Sequence, residues 1–237
     1  MPTTALLIPI LNERDGLNSV LPQINPAWVD EILFVDGGST DGSQEIIRAW
    51  GHGRLIEQQQ PGLSNAYWEA FPLIASDLII TFSPDGNSLP SAIPRLVEKM
   101  SEGFDMVVAS RYLPGAGSQD DGPITALGNW MFTQMINLLF RASITDSLVI
   151  LRAYRKSLVA GIGMDTRTPA FEPQLSIRCA VYGCKVTEIA APEPPRIGGK
   201  RKMSILFNGW AVLSLILKEW SRTRAVVRKK NMTETVF

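Results

Sequence analysis

The 237-residue chain has one histidine, His52, and two cysteines, Cys179 and Cys184. A single histidine argues against a histidine-based metal centre or a serine-histidine-aspartate triad. The cysteines lie five positions apart with no other cysteine or histidine nearby. That is neither a zinc pattern nor the framework of a secreted disulfide-rich domain, so a reducing compartment is expected. Long hydrophobic runs are missing as well. The longest apolar stretch, Ile205 to Leu217, has 13 residues, is interrupted by Asn208 and Ser214, and is too short to span a bilayer. No signal-peptide pattern is visible at the N-terminus. There is no internal repeat, no low-complexity segment and no net charge, 23 basic residues balancing 23 acidic ones.

What is present begins with the distribution of that charge. Residues 1–199 carry 14 basic and 21 acidic side chains, whereas from Lys200 to Lys230 nine basic residues accompany a single acid, Glu219. A basic terminal segment on a neutral protein points to phosphates or an anionic surface, and no nucleic-acid partner is expected. The 45% hydrophobic content supplies an ample core for one large α/β domain or two small ones.

Short apolar runs alternate with helical patterns through the first half. Strands are expected at Ala5–Leu11, Glu31–Val35, Arg54–Glu57, Leu78–Phe82 and Phe104–Ser110, with helices at Asp15–Ile24, Ser43–Trp50, Leu63–Ile74 and Pro90–Met100. This alternation implies a doubly wound, mainly parallel sheet flanked by helices. The second half reads as a Gly/Asp-rich loop over Leu113–Pro123, an apolar helix over Ile124–Phe140 and an extended stretch over Ile144–Tyr154. A helix over Glu172–Tyr182, a strand over Cys184–Ile189, a loop over Ala191–Met203 and a last helix from about Ser204 to Trp220 follow. The Met131/Met135 face of the apolar helix is expected in the core.

Three strands end in polar clusters: Asn12-Glu13, Asp36 with Asp41, and Asp85-Gly86-Asn87. The carboxyl ends of parallel strands share one edge, where open α/β sheets bind ligands. Asp85 and Asn87 offer two hard oxygen donors two residues apart, a set suited to Mg²⁺ or Mn²⁺ holding a diphosphate. The Asp36 cluster is not a dinucleotide fingerprint. Its glycines, Gly37, Gly38 and Gly42, have the wrong spacing, and a carboxylate directly before them would repel a pyrophosphate.

Ile8-Pro9-Ile10-Leu11-Asn12-Glu13, Val35-Asp36-Gly37-Gly38-Ser39-Thr40-Asp41-Gly42 and Asp85-Gly86-Asn87 resemble the family 2 glycosyltransferases of the GT-A fold. Ser110-Arg111-Tyr112, Thr145-Asp146-Ser147 with Leu151-Arg152-Ala153-Tyr154, and Arg196 to Ser204 are similar to later motifs of one branch. That branch is the dolichol- and polyprenol-phosphate mannose or glucose synthases. The resemblance implies a GT-A domain over 1–203, with a nucleotide-sugar half to about residue 112 and an acceptor half over 113–203, followed by 204–237 as an amphipathic helix with a basic tail. It implies that Pro9, Glu13 and Asp36 hold the nucleotide's base and ribose, and that Asp85 binds the metal bridging the diphosphate. Arg111 with Lys200, Arg201 and Lys202 would neutralise donor and acceptor phosphates, and Asp146 and Arg152 would shape the sugar or acceptor pocket. Two departures stand out. The family's usual Asp-x-Asp reads Asp85-Gly86-Asn87, which weakens attraction for the metal, and the frequent Asp-Asp after the second strand reads Asp36-Gly37.

The expected activity is therefore an inverting, metal-assisted transfer of a hexose from a nucleotide-diphosphate sugar to a polyprenyl phosphate. A lipid phosphate is ionised at neutral pH and needs no strong base, only alignment and a stabilised leaving group. A hydroxyl acceptor would call for a carboxylate base, for which Glu172 is the candidate. A nucleotide-sugar-binding module that has lost catalysis is the rival from another class. In the last helix, Ile205, Leu206, Trp210, Val212, Leu213, Ile216, Leu217 and Trp220 cover about 160° of arc at helical spacing. With the basic flank from Arg222 to Lys230, this describes either a helix lying in an anionic membrane interface on the cytoplasmic face or one packed on the sheet or a second subunit.

Overall fold

The computed structural model describes residues 2–198 and 204–234, with side chains described to Arg224. Lys200, Arg201 and Lys202, expected to bind phosphate, lie outside the described residues.

Among the described residues seven strands form one sheet: β1 (Thr4–Ile10), β2 (Glu31–Asp36), β3 (Arg54–Glu57), β4 (Leu78–Thr81), β5 (Met106–Ser110), β6 (Arg152–Arg155) and β7 (Val186–Ala190). Their order is β3-β2-β1-β4-β6-β5-β7. All neighbours are parallel except β6, which runs antiparallel to both β4 and β5. The mainly parallel α/β sheet is thus as expected, with one reversed strand inside it. Ala5–Ile8 and Ile79–Ile80 are completely buried, which is why these strands read as continuous apolar runs rather than alternating ones.

Among the described residues eight helices flank the sheet: α1 (Arg14–Val20), α2 (Ser43–Trp50), α3 (Leu63–Ala70), α4 (Ala92–Ser101), α5 (Pro123–Phe140), α6 (Lys156–Gly161), α7 (Phe171–Val181) and α8 (Ile205–Glu234). Prolines shorten two of them relative to expectation. The α-helical hydrogen bonding of α1 and α3 gives way to 3₁₀ turns at Leu21–Gln23 and Phe71–Leu73, where Pro22 and Pro72 cannot donate. The expected extended stretch over Ile144–Tyr154 is corrected to a strand at Arg152–Arg155. Its first part is instead a loop wound on Asp146, whose Oδ1 accepts the amides of Leu148 and Val149 at 3.3 and 3.2 Å. Helix α6 had no counterpart in the sequence reading.

A second, smaller core joins α5, α7 and α8 through Phe132, Ile136, Phe140, Ile177, Val212, Leu215 and Ile216. An ion network fastens α7 to α8: Arg178 on α7 pairs with Glu219 on α8 at 2.7 Å, and Asp165 pairs with Arg178 and Arg222 at 3.0 and 2.9 Å. The single apolar stripe expected on the last helix is therefore divided. Val212 and Ile216 are buried, while Leu206 is 85% exposed and Trp210 69%. On α5, Met135 packs against the second core, but Met131 is partly exposed, a correction to the expectation that both are core.

Candidate active site

The carboxyl ends of β1, β2 and β4 meet on one sheet edge and are tied together by backbone bonds. Gly37 donates to the Ile10 carbonyl at 2.8 Å, and Phe82 to that of Leu7 at 3.0 Å. Asn12 accepts the Thr40 amide at 2.8 Å, and Ser39 Oγ accepts the Asn12 amide at 2.8 Å. Asp36 is 1% exposed and already holds the loop after β2, accepting from the amides of Gly38 and Ser39 at 3.2 and 3.0 Å and from Gln44 Nε2 at 2.7 Å. Pro9 lies within β1, paired in register with Val35.

Asp85 sits just beyond β4. Helix α1 packs directly beneath it, and a Cβ on Gly16 would come within 2.9 Å of the Asp85 Cα, so only glycine allows the approach. The carboxylate is 2% exposed; Oδ1 accepts the Asn87 amide at 3.2 Å and Oδ2 pairs with Arg196. Arg196 also reaches Glu13 Oε1 at 3.5 Å. One buried carboxylate, a neighbouring amide side chain and an open cavity suit a divalent ion completed by substrate oxygens and water, the usual way Mg²⁺ is held. No group of three or more histidine, cysteine, aspartate or glutamate side chains is poised for a metal among the described residues.

A cavity of about 560 Å³ opens beside Asp85 and Asn87. Its polar wall includes Arg111, Asp121, Glu172, Glu193 and Arg196, and its apolar wall comes from α5 and α8 through Ile124, Met131, Phe132, Leu206, Trp210 and Leu213. Arg111 is held on all sides. Its Nε and Nη2 form a bidentate pair with Asp146 at 2.6 and 3.0 Å, while Nη1 reaches Asp121 at 3.1 Å and Glu193 at 3.2 Å. Burial opposes the charge on Arg111, but these carboxylates, Asp146 foremost, raise its pKa above the ordinary guanidinium value. Burial likewise works against the Asp146 carboxylate, yet Arg111 holds it below the usual range. Burial pushes the Glu193 carboxyl up, only partly offset by Arg111.

The sequence-derived residues therefore fall into groups. Asp85, Asn87, Arg111 and Glu172 share the cavity wall. Asp146 lies behind Arg111 at 0% exposure. Arg152 is also 0% exposed and away from that wall; it donates to the carbonyls of Val149, Ser147 and Glu172, and so clamps the loop before β6 against α7. Glu172 accepts from the Tyr67 hydroxyl at 3.1 Å, and burial, opposed by Arg152, raises its pKa. Pro9, Glu13 and Asp36 stand outside the cavity wall, Glu13 being linked to it through Arg196. Glu193 and Asp121 had not been singled out, and Arg196 had been read only as part of a motif. The clearest signal for Glu193 and Arg196 was a run of charge between prolines, Glu193-Pro194-Pro195-Arg196.

A family model described as Glycosyl transferase family 2 matches residues 6–163. An undecaprenyl-phosphate 4-deoxy-4-formamido-L-arabinose transferase of Yersinia pestis is 27% identical over 213 residues, covering 85% of this chain. The chain spans 63% of the length of that relative. A dolichyl-phosphate hexose transferase of Haloferax volcanii is 28% identical over 216 residues, with 90% of this chain and 92% of the relative covered. Among solved structures, glucosyl-3-phosphoglycerate synthase from Mycobacterium tuberculosis in complex with uridine diphosphate superposes with a TM-score of 0.72 at 20% identity, covering 93% of this chain and 80% of that one. The same enzyme is also solved with Mn²⁺, UDP-glucose and phosphoglyceric acid, at a TM-score of 0.70.

Proposed function

Because this chain belongs to glycosyl transferase family 2, we propose that it moves a hexose from a nucleotide-diphosphate sugar to a polyprenyl phosphate, with inversion at the anomeric carbon and a divalent cation at Asp85. The carrying observation is the mixed lining of the cavity. Carboxylate and guanidinium groups share it with aliphatic and aromatic side chains of two helices, and α8 also exposes Leu206, Phe207 and Trp210. The apolar helices suit an acceptor with a long apolar tail, and a divalent ion together with the basic run would answer the charge of its head. The names of the Yersinia and Haloferax relatives, both polyprenyl-type phosphate sugar transferases, support that acceptor class.

In this reading a phosphate oxygen of the acceptor forms the new bond to the anomeric carbon as the bond to the donor's diphosphate oxygen breaks. The electron pair leaves with the nucleoside diphosphate, and no proton need move. Asp85 and Asn87 would hold Mg²⁺ or Mn²⁺, which supplies charge stabilisation of the leaving diphosphate. Glu13 and Asp36 belong to the nucleoside end, with Pro9 in the strand beneath. Arg196 adds positive charge beside the cavity, and Lys200, Arg201 and Lys202 would supply more. Asp146 and Arg152 act one step back, through Arg111 and through the loop that carries Leu148 and Val149 on the cavity wall. The N-terminal part of α8 and the exposed Leu127 and Trp130 of α5 would rest in an anionic membrane interface. No helix among the described residues is long and apolar enough to cross a membrane.

Glu172 favours a second reading. It lines the cavity with a raised pKa, and a carboxylate so tuned is a better general base for a hydroxyl acceptor. The deciding experiment is a radiolabel transfer assay with a panel of nucleotide sugars, Mn²⁺, and either undecaprenyl or dolichyl phosphate or soluble hydroxyl acceptors. Label entering the organic phase only with the lipid phosphates is the expected result. Label transferred only to hydroxyl acceptors would overturn the proposal in favour of the second reading.

A further inference from the structure

The segment over residues 191–198 crosses the Asp85 turn and brings its own cation. Arg196 pairs with Asp85 Oδ2 and reaches Glu13 at 3.5 Å. The next residue, Ile197, donates its amide to the Asp85 carbonyl at 2.8 Å. The Ile197 side chain lies so close over Gly86 that a Cβ there would come within 2.6 Å of it. The segment is itself anchored upstream, where Glu193 exchanges backbone bonds with Gly117 and Gln119 at 2.8 Å each. Arg196 Nε is buried without a hydrogen-bond partner, which a guanidinium placed only for structure would not leave so.

A divalent ion and a guanidinium at the same carboxylate oxygen repel each other, and burial strengthens that repulsion. We propose that Arg196 is the resident counter-cation of this site, exchanging with the divalent ion on Asp85, so that ion binding releases the Arg196–Ile197 strap. The inference rests on the reading of Asp85 as the ion-binding carboxylate. No covalent bond changes: one cation replaces another, and the guanidinium stays at the cavity wall. Arg196 thereby sets the site's ion affinity. It acts in the same direction as Asn87, whose neutral amide already makes the site less attractive than two carboxylates would be.

The test uses the full chain without nucleotide, at low ionic strength, and measures free Mn²⁺ by electron paramagnetic resonance. Arg196→Gln should bind Mn²⁺ about tenfold more tightly, the effect of removing one nearby competing charge. Arg196→Lys, which keeps the charge, should remain within about threefold of the wild type on the same grounds. In the wild type, hydrogen exchange at the Ile197 amide should accelerate when Mn²⁺ is added, since its bond to the Asp85 carbonyl is given up. If the wild type binds Mn²⁺ and Arg196→Gln binds it no more tightly, the exchange is refuted while the Asp85 assignment stands. Unchanged Ile197 exchange at saturating Mn²⁺ refutes it equally, without any variant. Failure of both wild type and Arg196→Gln to bind Mn²⁺ overturns the Asp85 assignment and the exchange together.

Discussion

Replacing Arg111 by methionine separates two roles that geometry and motif assign differently. The motif suggests a phosphate-neutralising cation, whereas the geometry shows a guanidinium engaged by Asp146, Asp121 and Glu193. Methionine fills most of the volume but removes the charge, leaving three carboxylates facing one another at exposures of 0%, 7% and 10% for their side chains. Breaking a buried pair by deleting one partner costs about 3–5 kcal/mol; the three carboxylates lose their shared cation but keep Tyr112, Ser118 and Asn129 as donors, and we expect about 4 kcal/mol at pH 8. For a chain of this size that corresponds to a fall of about 8–16 °C in unfolding midpoint. The loss should be pH-dependent, with a definite sign. Without Arg111, burial should hold the Asp146 and Glu193 carboxyls above their unfolded pKa values, so the stability of the variant is retained at low pH and lost as pH rises through the raised values. In the wild type, the depressed Asp146 contributes stability above its ordinary value of 3.8 and loses it as pH falls below that. Both effects favour the variant toward acid, but only the first operates between pH 5 and pH 8, where it narrows the gap. Urea unfolding followed by the fluorescence of the six tryptophans, at pH 5 and pH 8, measures it. A variant within about 1 kcal/mol of wild type at pH 8, which would put Arg111 in the surface ion-pair range, would refute the argument; so would a gap that fails to narrow. If that folded variant also lost diphosphate affinity, Arg111 would be a phosphate ligand after all.

Two further outcomes follow from the same geometry. Asp36→Ala should weaken nucleoside diphosphate binding by about 1–3 kcal/mol, the range for losing a buried charged acceptor, because it frees the amides of Gly38 and Ser39 as well as any nucleoside contact; calorimetry giving wild-type affinity would reject the role. The double change Leu206→Ser with Trp210→Ser should reduce co-sedimentation with anionic vesicles at least tenfold, since each large apolar side chain is worth about 1.5–3 kcal/mol on burial, and added salt should release the wild type. Unchanged sedimentation would mean that these side chains serve only the cavity.

Much of the fold was legible because parallel strands buried on both faces leave an unbroken apolar run, as Ala5–Leu7 and Leu78–Ile80 do. The direction of β6 was not, since nothing in Arg152-Ala153-Tyr154-Arg155 encodes which way a four-residue strand runs between two others. Arg152 was assigned to the sugar or acceptor pocket on the family resemblance alone. In the structure it is buried and donates its hydrogen bonds to the backbone carbonyls of Ser147, Val149 and Glu172. The three partners of Arg111 are spread through the chain, at positions 121, 146 and 193, so only the folded sheet edge reveals that it is enclosed. The last helix was read as one amphipathic stripe because period alone cannot separate a surface that meets α7 from one that meets the cavity. The buried pair Arg178–Glu219 marks that boundary.

The charge on the cavity wall constrains what can enter. Among the described residues, Asp85, Asp120, Asp121, Glu172 and Glu193 line it against only Arg111 and Arg196, and Arg111 is already matched by its own carboxylates. Such a wall repels both a diphosphate and a phosphate acceptor unless further cations arrive. In the proposed mechanism a divalent ion at Asp85 would answer the donor's charge, and the neutral Asn87 would lower the negative charge that remains around it. The acceptor's charge would still need an answer. In the sequence the nearest unused supply is Lys200-Arg201-Lys202, within the five residues that join Gly198 to Ser204. This run falls, in the sequence, between the Arg196–Ile197 segment and the start of α8. A hydroxyl acceptor brings no such charge and would leave that basic run without a task at the cavity. The wall by itself therefore does not favour an anionic acceptor; it is the basic run in the sequence that is consistent with the acceptor proposed above.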